Sequence, residues 1–234
     1  MAQKKLERFA AIKAFDNVME YPPGMKGKWH EFFKNTNPIV LELACGRGEY
    51  TVGLSLLFPD QNFIGVDVKG NRMFIGAKKC LTHNITNAGF LRTQIEKLAD
   101  YFAPGEVDEI WIIFPDPQLR ISKAKKRLTH PRFLRLYQQM LKPGGFIHLK
   151  TDSPDLYLFT KQVAQLYELQ IVEDVDDVYS NAAPKEELTI KTHYESLDIA
   201  QSKKIHYLKL TLPVAIKDID EQLQQILNDA KQLD

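Results

Sequence analysis

Ile39-Val40-Leu41-Glu42-Leu43-Ala44-Cys45-Gly46-Arg47-Gly48-Glu49 is the stretch whose reading sets the fold class. Ile39–Leu43 is an apolar, β-branched run that reads as a strand with one acid, Glu42, near its end. It enters a turn with glycines at 46 and 48, and Tyr50–Phe58 then reads as a helix that stops before Pro59-Asp60. A strand, a glycine turn and a helix in that order open a βαβ unit. Gly46 and Gly48 let the backbone approach a ligand closely. The same residues also fit a generic tight turn with no ligand.

Downstream, the alternation repeats. Phe63–Asp67, Phe90–Arg92, Ile110–Phe114 and Phe146–Lys150 read as strands. Arg72–Leu81, Glu96–Phe102, His130–Leu141 and Pro154–Tyr167 read as helices, and Pro143-Gly144-Gly145 as a turn. This pattern predicts an α/β protein with a mostly parallel central sheet and helices on both faces. Leu169–Val178 and Ile205–Leu212 read as strands with an irregular segment between them. Too few residues separate them for a helix and its loops, which predicts an antiparallel strand pair at the C-terminal end. Ile216–Leu233 has the spacing of a terminal amphipathic helix. Residues 1–37 read as a polar N-terminal extension and 38–234 as one domain.

The chain has 234 residues, 44% hydrophobic and 26% charged, ordinary values for a globular protein. No apolar run is long enough to cross a bilayer, and the N-terminus has no signal-peptide core. Two cysteines, Cys45 and Cys80, build no disulfide framework, which points to a reducing cytoplasm. Net charge is only +1. Yet residues 116–135 hold seven Lys/Arg and one acid, Asp116, a local +6 that leaves −5 for the rest. So concentrated a field suits a polyanion, although a charge run is as often a solvated face.

The acids say what the first turn prefers. A dinucleotide fingerprint needs a third glycine at 51, where this chain has Thr51, and Glu49 opening the helix repels a pyrophosphate. Glu42 instead suits a ligand with a cationic group and no phosphate, such as S-adenosylmethionine. Asp67 ends the second strand, where a carboxylate accepts from both ribose hydroxyls; NAD and S-adenosylmethionine sites share that feature. Gln94, past the third strand, stands where an adenine amino group is met, and is equally a plain surface residue. Ile110–Phe114 runs into Pro115-Asp116-Pro117, a carboxylate at a strand end held between two prolines.

Motifs in one order carry a resemblance. Lys26-Gly27-Lys28-Trp29, Glu42 to Gly48, Gly65-Val66-Asp67, Phe114-Pro115-Asp116-Pro117, Lys125-Lys126-Arg127-Leu128-Thr129, Lys150-Thr151-Asp152 and Thr192-His193-Tyr194-Glu195 closely resemble the tRNA (guanine-N7)-methyltransferases of the TrmB type. The likeness runs from about Lys26 to Leu212 and implies a Rossmann-like methyltransferase fold. It implies methyl transfer from S-adenosylmethionine to N7 of a guanine in tRNA, guanosine 46 of the variable loop. It further implies that Glu42, Gly46, Gly48, Asp67, Gln94 and Asp116 meet the methyl donor, with Asp116 also catalytic. Arg120, Asp152, Thr192, Tyr194 and Glu195 would meet the tRNA or its guanine, and Lys123, Lys125, Lys126 and Arg127 the RNA backbone. The chain departs from the family pattern at Ala44, at Gln94, at Gln118-Leu119 and at Ser196-Leu197.

The chemistry asks for little. Guanine N7 has a free lone pair and no proton, so it attacks a sulfonium methyl without a base. The reaction needs in-line positioning and negative charge near the developing cation, not a metal or a nucleophilic Cys. Asp116 and Asp152 end adjacent strands and fit that need, and Cys45 reads as a loop filler. Asp152 and Glu195 can accept from guanine N1–H and N2–H. Tyr194 or Phe114 either stacks on a base turned out of its stack or simply packs. Three other classes stay open: an NAD-dependent oxidoreductase, a non-catalytic RNA-binding protein on the same fold, and a methyltransferase for protein or small molecules. Monomer and homodimer are equally open.

Overall fold

The computed structural model describes residues 2–180, 183–197 and 204–232. It opens with α1 (Ala2–Ala11), β1 (Val18–Glu20) and α2 (Trp29–Phe33). Then come β2 (Ile39–Leu43), α3 (Glu49–Leu57), β3 (Asn62–Asp67), α4 (Gly70–Thr82), β4 (Ala88–Arg92) and β5 (Val107–Ile113). α5 (Pro131–Gln138), β6 (Leu141–Thr151), α6 (Pro154–Leu166) and β7 (Gln170–Val175) follow. The chain closes with α7 (Glu186–Thr189), α8 (His193–Ser196), β8 (His206–Thr211) and α9 (Asp220–Gln232).

One eight-stranded sheet has the order β1-β4-β3-β2-β5-β6-β8-β7. Neighbours from β1 to β6 run parallel, and β8 is antiparallel to both β6 and β7. The antiparallel pair at the C-terminal end is thus present. All five residues of β2 are buried. Ile39, Leu41 and Leu43 join one core with Trp29, Phe133 and Leu156, while Val40 joins another with Tyr50 and Leu54 of α3. A parallel strand buried on both faces needs such a continuous apolar run. From β2 the chain steps outward to β3 and β4, then returns to β5 on β2's other side. The carboxyl ends of β2 and β5 therefore flank a reversal of winding, the place where open α/β sheets bind ligands.

Five features differ from the sequence expectation. Residues 1–37 hold more structure than a polar lead-in: β1 pairs with β4 as an edge strand, and α1 packs on α4. A three-residue strand is too short to show a period. Trp29 is fully buried against Phe102, and Gly27 and Trp29 donate backbone N–H groups to the Glu106 carboxylate, so the Lys26–Trp29 motif is an anchor. The helix expected at Glu96–Phe102 is a tighter 3₁₀ turn, Ile95–Asp100, with Leu98 alone buried. The helix expected to reach Leu141 ends at Gln138, because Leu141 already pairs with Val107 at the start of β6. Pro143-Gly144-Gly145 is a bulge inside β6: Leu141 lies opposite Val107, and Phe146 opposite Glu109. The last two strands are joined through the short helices α7 and α8. α9 covers most of the expected terminal helix, whose last residue, Leu233, lies outside the described residues.

Candidate active site

Three left-handed residues shape the turn after β2: Ala44 (φ +55°), Gly46 (+56°) and Gly48 (+73°). A Cβ on Gly48 would stand 2.5 Å from Phe90 Cε1, so this glycine is required by packing. A Cβ on Gly46 would meet nothing nearer than the Ala44 carbonyl oxygen at 4.0 Å, so backbone lies bare toward the cleft. Glu42 is 5% exposed. Its Oε2 accepts from the Thr51 backbone N–H at 2.7 Å and from the Thr51 hydroxyl. Burial pushes the Glu42 carboxyl up to about 8 against those two bonds, and Glu49 and Asp67 add to the rise. Asp67 accepts from Gly46 N–H at 2.9 Å and from Lys69 N–H at 2.8 Å, which ties the end of β3 to the glycine turn. Each of its oxygens keeps a further lone pair. Gln94 is exposed just past the end of β4, whose Arg92 lies opposite Asp67.

The turn after β5 is held as firmly. Phe114 (φ +44°) and Gln118 (+48°) bracket Pro115-Asp116-Pro117. A bulky residue in that region is strained, a state that persists only where the surroundings over-determine it. Asp116 is exposed, and its Oδ1 accepts from Gln118 N–H at 3.0 Å. Arg127 holds the Gln118 end of the turn. Its guanidinium donates to the carbonyls of Pro117 (3.2 Å), Gln118 (3.2 Å) and Leu119 (3.4 Å) and lies 4.4 Å from the Phe159 ring centroid. It is 5% exposed, which corrects its expected place on the RNA backbone. Arg120, Lys123, Lys125 and Lys126 are exposed around the 3₁₀ turn Ile121–Lys126, which buried Ala124 anchors.

Two clefts open at these strand ends. The first, about 490 Å³, is lined by Glu42, the 44–47 turn, Ile113, Phe114, Thr192 and Tyr194, among others. The second, about 330 Å³, is lined by Phe114 to Pro117, Leu119, Asp152 to Asp155 and Tyr194. Phe114 and Tyr194 line both, with ring centroids 6.0 Å apart and planes tilted by 44°. The Tyr194 hydroxyl donates to Asp152 at 3.3 Å. Thr192 caps α8 by accepting from Glu195 N–H at 3.1 Å.

Glu195 departs from expectation. It is 8% exposed and turned inward. Its carboxylate pairs with Lys150 Nζ at 3.1 Å and accepts from the Tyr179 hydroxyl. Lys150 is fully buried and also donates to the carbonyls of Leu188 (2.8 Å) and Ile190 (3.3 Å). Burial lowers the Lys150 pKa, and the Glu195 carboxylate opposes that fall. Thr51 stands out in the sequence only as a missing glycine; its signal as a partner for Glu42 is a hydroxyl on the helix directly after the strand.

A family described as "Putative methyltransferase" matches residues 36–208. The tRNA (guanine-N(7)-)-methyltransferase of Bacteroides thetaiotaomicron is 47% identical over 222 residues, covering 91% of this chain and 87% of that protein. The protein of the same name from Porphyromonas gingivalis is 48% identical, over 86% of each chain. This chain belongs to the tRNA (guanine-N(7)-)-methyltransferase family. The fold reaches further. Crystal structures of the 16S rRNA methyltransferase KamB and of an A1408 methyltransferase from an uncultured bacterium superpose with TM-scores of 0.61 and 0.58 at 16% and 18% identity. Each alignment covers 80% of this chain and 93% of the other.

Within this methyltransferase family, the departures now have places. Ala44 takes a left-handed conformation that glycine adopts more easily, at a cost on the order of 1 kcal/mol. Gln118 occupies the left-handed position that closes the Asp116 turn, and its side chain takes no part in that closure. No helix among the described residues is long and apolar enough to cross a membrane.

Proposed function

We propose that this protein transfers a methyl group from S-adenosylmethionine to N7 of a guanine in tRNA, at guanosine 46 of the variable loop, in the cytoplasm. The observation that carries the reading is the pair of clefts at the switch point, one holding Glu42 and the other Asp116 and Asp152, with Phe114 and Tyr194 common to both. The donor's amino-acid end is assigned to the first cleft; Asp67 and Gln94, assigned to its ribose and adenine, lie outside that cleft's lining. Gly46 leaves its backbone bare in the first cleft, and Glu42 spends only Oε2 on Thr51, keeping Oε1 for a cation. Glu42 then faces the donor's ammonium, Asp67 its ribose hydroxyls, and Gln94 the adenine edge. The donor supplies an electrophilic methyl on a sulfonium.

The chain's own residues do the rest. Phe114 and Tyr194 hold the extruded guanine flat. Asp152 accepts from its N1–H or N2–H, donors that adenine lacks on that edge. Asp116, held between two prolines and by Arg127 through its turn, places negative charge beside the ring as it becomes cationic. No proton has to leave. Thr192 caps the helix that presents Tyr194, and Glu195 anchors that helix through Lys150. Arg120, Lys123, Lys125 and Lys126 meet the RNA backbone beyond Leu119.

The test is transfer of labelled methyl to unmodified tRNA, followed by chain cleavage specific for 7-methylguanosine. Label in tRNA with cleavage at position 46 is expected. Label at another guanine would move the target, and no label with an intact donor would overturn the reading.

A further inference from the structure

Three arginines border the first cleft: Arg8 from α1, Arg47 from the glycine turn and Arg72 from α4. No carboxylate of the described residues pairs with any of them. Arg8 rests 5.8 Å from the Phe74 ring centroid, and Arg72 is exposed. Among the described residues, the acids lining the same cleft are Glu42 and Glu49, and Glu42 is buried against Thr51. Among the described residues its lining thus sets three arginines against two glutamates, an excess of positive charge. Its proposed donor is itself a net cation, since a sulfonium and an ammonium outweigh one carboxylate. A single arginine satisfies that carboxylate with a bidentate pair. The remaining cations repel the donor unless an anion covers them.

Topology says where that anion comes from. Arg47 follows β2, and Arg72 lies in the helix between β3 and β4. Arg120 to Lys126 follow β5 on the other side of β2. Phe114 and Tyr194 line both the cleft that the arginines border and the cleft that holds Asp116 and Leu119, the residue before Arg120. A nucleotide turned out of its stack has a phosphate on each side of it. The lysine cluster serves one side only.

Resting on the methyltransferase reading above, we propose that Arg8, Arg47 and Arg72 bind RNA phosphates on the side of the target nucleotide away from the lysine cluster. The bound phosphates neutralise the rim, so tRNA and donor strengthen each other's binding, and the coupling is reciprocal.

The test uses the full chain, unmodified tRNA and two non-transferring probes. Sinefungin carries an amine in place of the sulfonium, and S-adenosylhomocysteine carries no charge there. In the parent protein, tRNA should tighten sinefungin binding several-fold and S-adenosylhomocysteine binding much less. Arg8→Gln with Arg72→Gln, both on helix surfaces, should lower the slope of log affinity for tRNA against log salt by roughly 1.4–1.8 units. The same double variant should abolish the sinefungin coupling. An unchanged slope, with probe binding weakened in the absence of RNA, would assign the arginines to the donor carboxylate and overturn the proposal. If the parent protein binds no tRNA at all, the methyltransferase reading fails instead, a result visible before any variant is made.

Discussion

Glu42 holds its proton up to about pH 8 because burial penalises the carboxylate more than Thr51 stabilises it. The unfolded chain releases that proton near the ordinary glutamate value of 4.5. Between those values the folded state binds more protons, so its stability in the absence of donor falls as pH rises from about 4.5 through 8. Glu42→Gln should flatten that part of the melting-temperature profile. Pairing with an ammonium requires the carboxylate, so donor binding near pH 6.5 should release about one proton. Calorimetry in buffers of different ionisation heat measures this, and equal heats in all buffers would remove Glu42 from the donor site. The role proposed for Asp116 is different. Asp116→Asn keeps the shape and removes the charge, and should slow single-turnover methylation by about 10²–10³-fold with tRNA affinity nearly unchanged. A rate near that of the parent protein would move the catalytic assignment to Asp152.

At the scale of elements, neighbouring cations separate into two roles. Lys123, Lys125 and Lys126 are exposed on the 3₁₀ turn, while Arg127 closes that turn and pins the 117–119 carbonyls. Replacing the three lysines by Gln should flatten the salt dependence of tRNA binding by close to one unit for each phosphate no longer neutralised, and leave the melting temperature alone. Arg127→Gln should do the reverse. It leaves partly buried carbonyls without a charged donor, costing about 1 kcal/mol, and loosens the turn that carries Asp116. Denaturant unfolding together with filter binding separates the two outcomes. A normal stability for Arg127→Gln would show that the prolines alone hold the turn.

Across the whole molecule, the Lys150–Glu195 pair joins the stretch between β7 and β8 to β6 in the centre of the fold. Glu195→Ala strands a buried ammonium and should cost about 3–5 kcal/mol. Lys150→Met with Glu195→Leu, an apolar pair of similar volume, should recover most of that stability. A melting temperature unmoved by Glu195→Ala would return Glu195 to the proposed guanine pocket. The charge layout acts at the same scale. A window of +6 on a molecule of net +1 orients an approaching polyanion. The rate of tRNA association should therefore drop steeply with ionic strength.

The βα alternation, the antiparallel finish, the glycine turn with Glu42, and the strand-end acids Asp67, Asp116 and Asp152 are all legible in the chain alone. Each is local: a period of two or 3.6, a turn residue, or a carboxylate at the end of an apolar run. Which charges are free was settled by packing between distant segments. Lys126 and Arg127 are adjacent, yet one is exposed and the other buried, because carbonyls eight to ten residues earlier fold back onto Arg127. Glu195, expected at the guanine, is turned inward onto Lys150, 45 residues away in the chain. Arg8, Arg47 and Arg72 carry no common motif and meet at one cleft because α1 packs on α4 beside the β2 turn. A side chain's charge is written in the sequence. Its solvation and its partner depend on what distant strands and helices bring alongside it.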